Sequence, residues 1–206
     1  MANTYLPTER RRQHTVEAVI ELAGQQNLHT LTISAIAAHM ELSQSALFRY
    51  FPNKEAIWEE VMTWVSDKLL HQVDGIIAST PDPLAALETL FLNHLAFAAD
   101  HPGVPRILFG ELQKVGITPA KKKAQLLLDS YSQRLRACIE KGKQLGQVSS
   151  AIETASAIAL FFGTVQGLIL QAMLADNMTG LPGSGQGPFT IYRHGISACH
   201  AVVRVL

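Results

Sequence analysis

The residues whose types and spacing best fit a chemical task are Ser43, Gln44, Ser45 and Ala46, which lead into Leu47 and Phe51. Gln44 carries the paired donor and acceptor that read adenine in a major groove, and Ala46 is small enough to meet a thymine methyl group. Both fall at the exposed start of a short helix whose apolar face is Leu47 and Phe51. Lys54, in the first turn of the next helix, places a charge beside amide donors that themselves favour phosphate. Arg10, Arg11 and Arg12 offer a basic arm. Reactive chemistry has no comparable support: inward carboxylates at Glu-x-x-His spacing, a glycine-rich phosphate loop and a nucleophile elbow are all missing from the sequence. His94 and His101 are seven residues apart with no third ligand at metal spacing, so neither a metal nor a cofactor is expected.

The elements that must position these residues are helices. Apolar residues recur every three or four positions, and alternating β-branched runs are nearly absent. Val16, Val19, Ile20 and Ala23 share one face of a first helix, which Asn27 is expected to end in the left-handed conformation. Thr32, Ser43 and Asn53 each precede an apolar-periodic run and are expected to cap three successive helices. The pair from Thr32 to Phe51 fits a helix-turn-helix, whose second helix enters the DNA major groove.

Beyond residue 78 the helices lengthen. Asp82-Pro83 starts one that ends near His101-Pro102-Gly103, a short one follows from Val104 to Leu112, and Thr118-Pro119 starts another running to about Leu145. The stretch from Thr154 to Ala175 is uncharged and long enough to span a bilayer. Its Ser156, Thr164, Gln166 and Gln171, flanked by Glu153 and Asp176, argue instead for a helix buried all round in a soluble core. Gly180 to Pro188 reads as a flexible loop, and a last apolar helix as running from about Pro188 to the C-terminus.

Equal numbers of acidic and basic side chains, 17 of each among 206 residues, exclude a polycation that coats nucleic acid or membrane. They leave room for a local basic patch. Cys138 and Cys199 are too few for a disulfide framework and read as buried thiols. With no signal-peptide run, a cytoplasmic protein is expected.

The sequence resembles the tetracycline-repressor (TetR) family of bacterial regulators. The resemblance rests on Thr32-Ile33-Ser34-Ala35-Ile36-Ala37, on Leu42 through Phe51, and on Asn53-Lys54-Glu55-Ala56-Ile57. It implies an all-α chain: a helix-turn-helix DNA-binding domain over residues 1–52 and a larger ligand-binding and dimerisation bundle over 53–206. It gives Thr32 and Ser34 phosphate or groove-edge contacts, and makes Gln44 and Ser45 the base-reading positions. Phe48 and Tyr50 are turned to the DNA backbone, and Lys54 clamps a phosphate. Two positions depart from the pattern. Glu41 stands where the turn usually has Gly, at a cost on the order of 1 kcal/mol if the backbone there is left-handed. Phe48 replaces a common Tyr and cannot make its hydroxyl contact.

The family also implies a homodimer on a two-fold, palindromic DNA operator, acting as a repressor, and a cavity for a small-molecule effector. The helix from Ile152 to Ala175 and the last helix, through Ile196 and Val203, are the candidate interface. Gly163 and Gly167 allow a close helix approach there, or else close packing inside one subunit. Candidate pocket residues are Phe91, His94, Leu95, Phe109, Tyr131, Phe162 and Gln166, and their apolar character points to a mainly apolar ligand. The alternative is that the larger domain docks a protein instead of a ligand.

Overall fold

A computed structural model describes residues 8–28 and 30–198. Cys199 and Val203 lie outside the described residues. Within them the chain is helical: α1 (Thr8–Gln25), α2 (Ile33–His39), α3 (Gln44–Phe48), α4 (Lys54–Ser79), α5 (Pro83–Asp100), α6 (Gly103–Leu112), α7 (Pro119–Gln144), α8 (Thr154–Leu174) and α9 (Gln186–Ile196). Two compact units result, one from Met1–Leu69 with Asp100–Leu128 and the other from Leu70–Ala99 with Asp129–Leu206. The helices α4, α5 and α7 each contribute residues to both units.

Local chemistry sets the helix starts in the first unit. Thr32 Oγ1 accepts from the Ala35 amide at 3.1 Å, Ser43 Oγ from Ala46 at 3.1 Å, and Asn53 Oδ1 from Ala56 at 2.8 Å. Each bond satisfies an amide that the first turn leaves unpaired. The turn between α2 and α3 closes through Leu42 N–H to Ala37 O at 2.8 Å and Glu41 N–H to Ala38 O at 3.1 Å. That pair of bonds needs a left-handed residue at position 41, and Glu41 has φ of 54°. Asn27 does not take up the left-handed conformation expected of it. Its carbonyl instead accepts the Thr30 amide at 3.0 Å, turning the chain toward α2.

α1 presents Val16, Val19, Ile20 and Ala23 to the unit core. α6 lies directly on it. A side chain at Gly103 would place its Cβ 1.9 Å from the Ile20 carbonyl oxygen, so only glycine permits this approach.

The second unit is built around aromatic rings. Phe91 packs edge-on against Phe161 at 5.4 Å, Tyr131 against Phe162 at 5.3 Å, and Phe161 against Tyr192 at 5.8 Å. Tyr131 donates to the Leu90 carbonyl at 3.3 Å and Tyr192 to Ala157 O at 3.2 Å. His94 stacks on Tyr131 at 5.7 Å, and its Nδ1 is buried without a partner. Burial lowers the His94 pKa to about 4, so the ring is neutral in the fold.

Three expectations for this unit are corrected. α8 is long and apolar enough to cross a membrane by length and composition, yet it is not buried all round. Phe161, Phe162, Val165 and Ile169 face the core, whereas Leu160, Leu170 and Leu174 are exposed. The Gly180–Pro188 segment is not a flexible loop: Leu181 is buried, Pro182–Ser184 form a 3-10 turn, and α9 already begins at Gln186. A Cβ at Gly185 would meet Leu95 Cδ1 at 2.5 Å, so this stretch is packed down on α5. Finally, α9 stops at Ile196. Ser197 is extended and pairs with Val148 in an antiparallel bridge, with Ser149 N–H to Ile196 O and Ala198 N–H to Gln147 O both at 2.9 Å.

Two stability measurements follow from these features. Glu41→Gly relieves the left-handed strain, partly offset by the greater freedom of glycine in the unfolded chain, and should raise stability by about 0.5–1 kcal/mol in urea titrations. His94 has a folded pKa below its unfolded value. Its contribution is therefore fully present above pH 6.5 and is lost as pH falls toward 4, amounting to about 3 kcal/mol. Paired pH titrations of stability should find that part of the slope missing in His94→Phe.

Candidate nucleic-acid interface

Five residues are too few to hold a helix by backbone bonds alone, so α3 takes its direction from what lies beneath it. Leu47 and Phe51 are fully buried, as the sequence pattern requires. Over Phe51 lies the guanidinium of Arg12, 4.7 Å from the ring centroid. The same group donates to the Tyr50 carbonyl at 2.9 Å and is ion-paired with Glu60 on α4. Arg12 thus ties α1, the end of α3 and α4 together. It is not part of a basic arm, because the arginines lie within α1 and this one is turned inward. Arg10 is exposed and Arg11 partly so. Sequence reading missed the role of Arg12 because its partners lie 38 and 48 residues away.

Above that base, Thr32, Ser34, Ser43, Gln44, Ser45 and Phe48 are exposed, and Ala46 and Tyr50 are partly covered. Ser34 and Ser45 hydroxyls bond back to the caps, Ser34 Oγ to Thr32 Oγ1 at 2.9 Å and Ser45 Oγ to Ser43 Oγ at 3.0 Å. Gln44 projects its amide at the start of α3 with nothing larger than Ser and Ala beside it in sequence. The exposed face therefore combines hydroxyls, one amide and the ring of Phe48, a set suited to base edges and phosphate oxygens.

Lys54, expected to clamp a phosphate, has partners inside the unit. Its Nζ donates to the Leu28 carbonyl at 3.0 Å and sits 5.1 Å from the Trp58 ring centroid. Burial, and then the neighbouring Lys114 charge, push its pKa below the usual lysine range, with Glu111 opposing. One of its three donors fastens the start of α4 to the segment before α2, which limits what remains for DNA.

The residues assigned to a ligand pocket divide. Phe91, His94, Leu95, Tyr131 and Phe162 belong to the second unit, and all but Leu95 appear in its linked ring contacts. Phe109 belongs to the first unit. Gln166 is exposed on α8 and so does not line the interior. A cleft of about 310 Å³ lies in the first unit, lined by Glu17, Glu21, Trp64, Asp100 and His101 among others, none of which the sequence had assigned to a ligand pocket. Of the interface candidates, Ile196 is buried in its own unit and is unavailable to a partner. A Cβ at Gly163 or Gly167 would meet nothing within 4 Å, so neither glycine serves packing inside the chain.

Residues 16–61, which span α1 to the first part of α4, match the family described as bacterial regulatory proteins, tetR family. Among curated proteins, the nucleoid occlusion factor SlmA of Vibrio vulnificus is 23% identical over 167 residues, covering 81% of this chain and 85% of SlmA. The SlmA of Shewanella amazonensis is 27% identical over 101 residues, covering 49% of this chain and 51% of its own. Among solved structures, the Bacillus subtilis regulator FadR in complex with stearoyl-CoA superposes with a TM-score of 0.78 at 18% identity, covering 89% of this chain and 98% of FadR. The ketosteroid regulator KstR2 of Mycobacterium tuberculosis gives 0.74 at 18% identity, covering 96% and 97%. Residues 16–61 therefore carry the helix-turn-helix of the tetR family of bacterial regulatory proteins, the DNA-binding part of a transcriptional regulator, within an all-helical fold.

Proposed function

We propose that this regulator is a cytoplasmic repressor which binds a palindromic operator as a homodimer and is released by a small, mainly apolar ligand. Residues 1–52 read the operator and residues 53–206 dimerise and take the ligand. The observation that carries the DNA assignment is the start of α3, capped by Ser43, exposed at Gln44 and Ser45, and braced from below by Leu47, Phe51 and Arg12. Gln44 pairs with adenine, while Thr32, Ser34, Phe48 and Tyr50 meet the backbone.

Support for the dimer is the exposed stripe of α8. Leu160, Gly163, Gly167, Leu170 and Leu174 recur at helical spacing and fall on one face, joined on α9 by exposed Ile191. Support for an apolar ligand is the ring cluster of Phe91, His94, Tyr131 and Phe162, whose one buried polar atom without a partner is His94 Nδ1. Of the structural neighbours, FadR was solved with stearoyl-CoA, which carries a long apolar acyl chain on a charged coenzyme A, and KstR2 is described as a ketosteroid regulator. Gln166 and Phe109 are not counted in this lining. The ligand acts only through unequal affinity for the DNA-competent and DNA-incompetent states. A hundredfold release corresponds to about 2.7 kcal/mol of coupling. α4 carries residues of both units in one continuous helix, which makes its tilt the economical carrier.

A second reading, in which residues 53–206 dock a protein partner, is favoured by the exposed apolar side chains of Leu112, Val115 and Ile117. A thermal-shift screen with fatty acyl and sterol compounds separates the two: stabilisation supports the ligand, and none across the screen turns the reading to a protein.

Selection of bound sequences from random DNA should return an inverted repeat. Gln44→Ala should relax preference at particular positions of that repeat and cost about 1–3 kcal/mol. For the dimer, the paired change Leu160→Glu with Leu170→Glu should convert the protein to a monomer in sedimentation velocity and abolish tight operator binding. A monomeric wild-type protein with high operator affinity would refute the dimer.

A further inference from the structure

The segment that reads DNA is poor in positive charge. Residues 1–69 carry six basic side chains, Arg10, Arg11, Arg12, Arg49, Lys54 and Lys68, against eight acidic ones. Arg12 and Lys54 are further committed to internal partners. Sequence-independent affinity for DNA comes from phosphate neutralisation, so this segment supplies little of it. The same compact unit contains the opposite balance elsewhere. Residues 103–128 carry Arg106, Lys114, Lys121, Lys122 and Lys123, with Glu111 their only acid.

The turn between α6 and α7 holds these lysines in a defined shape. Thr118 donates to Glu111 Oε2 at 2.7 Å and accepts from the Lys121 amide at 3.2 Å. Lys121 Nζ reaches back to the carbonyls of Lys114 and Gly116, and Gly116 has a φ of 82°. Glu111 is buried and paired with Lys114, which leaves the charges of Lys121 to Lys123 without an acid partner among the described ion pairs. The elbow also abuts the helix-turn-helix. A Cβ on Gly110 would lie 2.7 Å from Leu28 Cδ1, and the Leu28 carbonyl is the acceptor for Lys54 Nζ at 3.0 Å. The end of α6, the segment before α2 and the first residue of α4 therefore meet at Leu28.

We propose that the α6–α7 elbow is a second DNA contact, in which Lys122 and Lys123, with Lys121 ordering the turn, bind backbone phosphates flanking each half-site. The inference rests on the DNA-binding reading above and extends it to residues outside the helix-turn-helix. The contact is made to phosphate alone, so it adds affinity and salt sensitivity and no base preference. Exposed Leu112, Val115 and Ile117 in the same elbow make an acidic protein surface the competing partner.

The test is operator binding by the full-length protein across a salt series, for wild type, Lys122→Gln/Lys123→Gln and Lys122→Glu/Lys123→Glu. The Gln pair should lower the slope of log affinity against log salt by about one to two units per subunit and weaken binding about tenfold per lost contact near 0.1 M salt, with the Glu pair weaker still. The base preferences of both should match wild type. Arg136→Gln, exposed in the other unit, should leave slope and affinity unchanged. Thermal melting of each variant reports whether it is folded. Wild-type slope and affinity in both lysine pairs, or an altered base preference, would overturn the elbow contact and turn the patch over to a protein partner. Failure of the wild-type protein to bind any duplex would instead overturn the DNA-binding reading itself.

Discussion

The orientation of α3 depends on a single guanidinium. A helix of five residues forms one or two backbone hydrogen bonds and pays nearly the whole nucleation cost, so it is stable only as part of its surroundings. Leu47 and Phe51 anchor its inner face, but two apolar anchors leave rotation about their axis loosely defined. Arg12 removes that freedom. Its planar face covers Phe51 while its edges hold the Tyr50 carbonyl and the Glu60 carboxylate, which fixes the end of α3 against two longer helices at once. A lysine at this position has neither the flat face to cover the ring nor the planar fork of donors. In the proposed operator complex, Gln44 reads from a platform set by this contact.

Charge in the first unit follows the same division of labour. Two cations flanking the helix-turn-helix are used to build it, Arg12 bracing α3 and Lys54 fastening α4 to the segment before α2, while Arg49 stays exposed. Using cations this way stabilises the reading head and removes them from the exposed face. The acids Glu17, Glu21, Glu55 and Glu59 then leave residues 1–69 net negative. A negatively charged reading head binds bulk DNA weakly, because the non-specific term is electrostatic. Weak non-specific binding favours discrimination, since the ratio of specific to non-specific affinity is what locates an operator among competing sites.

Much of this architecture was legible in sequence because its causes are local. The caps at Thr32, Ser43 and Asn53 involve bonds three residues long, and the left-handed Glu41 follows from the register of two flanking helices. The inward pair Leu47 and Phe51 follows from helical spacing. What was not legible depends on distant partners. Nothing near Arg12 in sequence tells that its charge is spent on Tyr50 and Glu60, and nothing near Lys54 points to Leu28. The α8 helix fails for another reason: a sequence apolar on every side carries no periodic signal for which side is covered, so its exposed Leu160 and Leu170 and its solvent-facing Gln166 emerge only from the packing. The end of α9 is likewise set by pairing of Ser197 with Val148, a contact 49 residues away.

In the proposed homodimer, the apolar stripe on α8 and the short helix α3 answer to one physical requirement. A single bidentate contact such as that proposed for Gln44 discriminates by about 1–3 kcal/mol, and a five-residue helix has room for few of them. Operator selection in a genome needs on the order of 4–10 kcal/mol over non-specific binding. One subunit falls short of that range, and two subunits on a two-fold site double the discrimination without enlarging either head. The cost of this solution is a surface that must stay apolar in the monomer. In the proposed dimer Leu160, Leu170 and Leu174 supply that surface, and Gly163 and Gly167 between them would let a second helix come close enough for dispersion contacts along the stripe. In this reading the glycines that do nothing inside the chain are the ones that give α3 its partner.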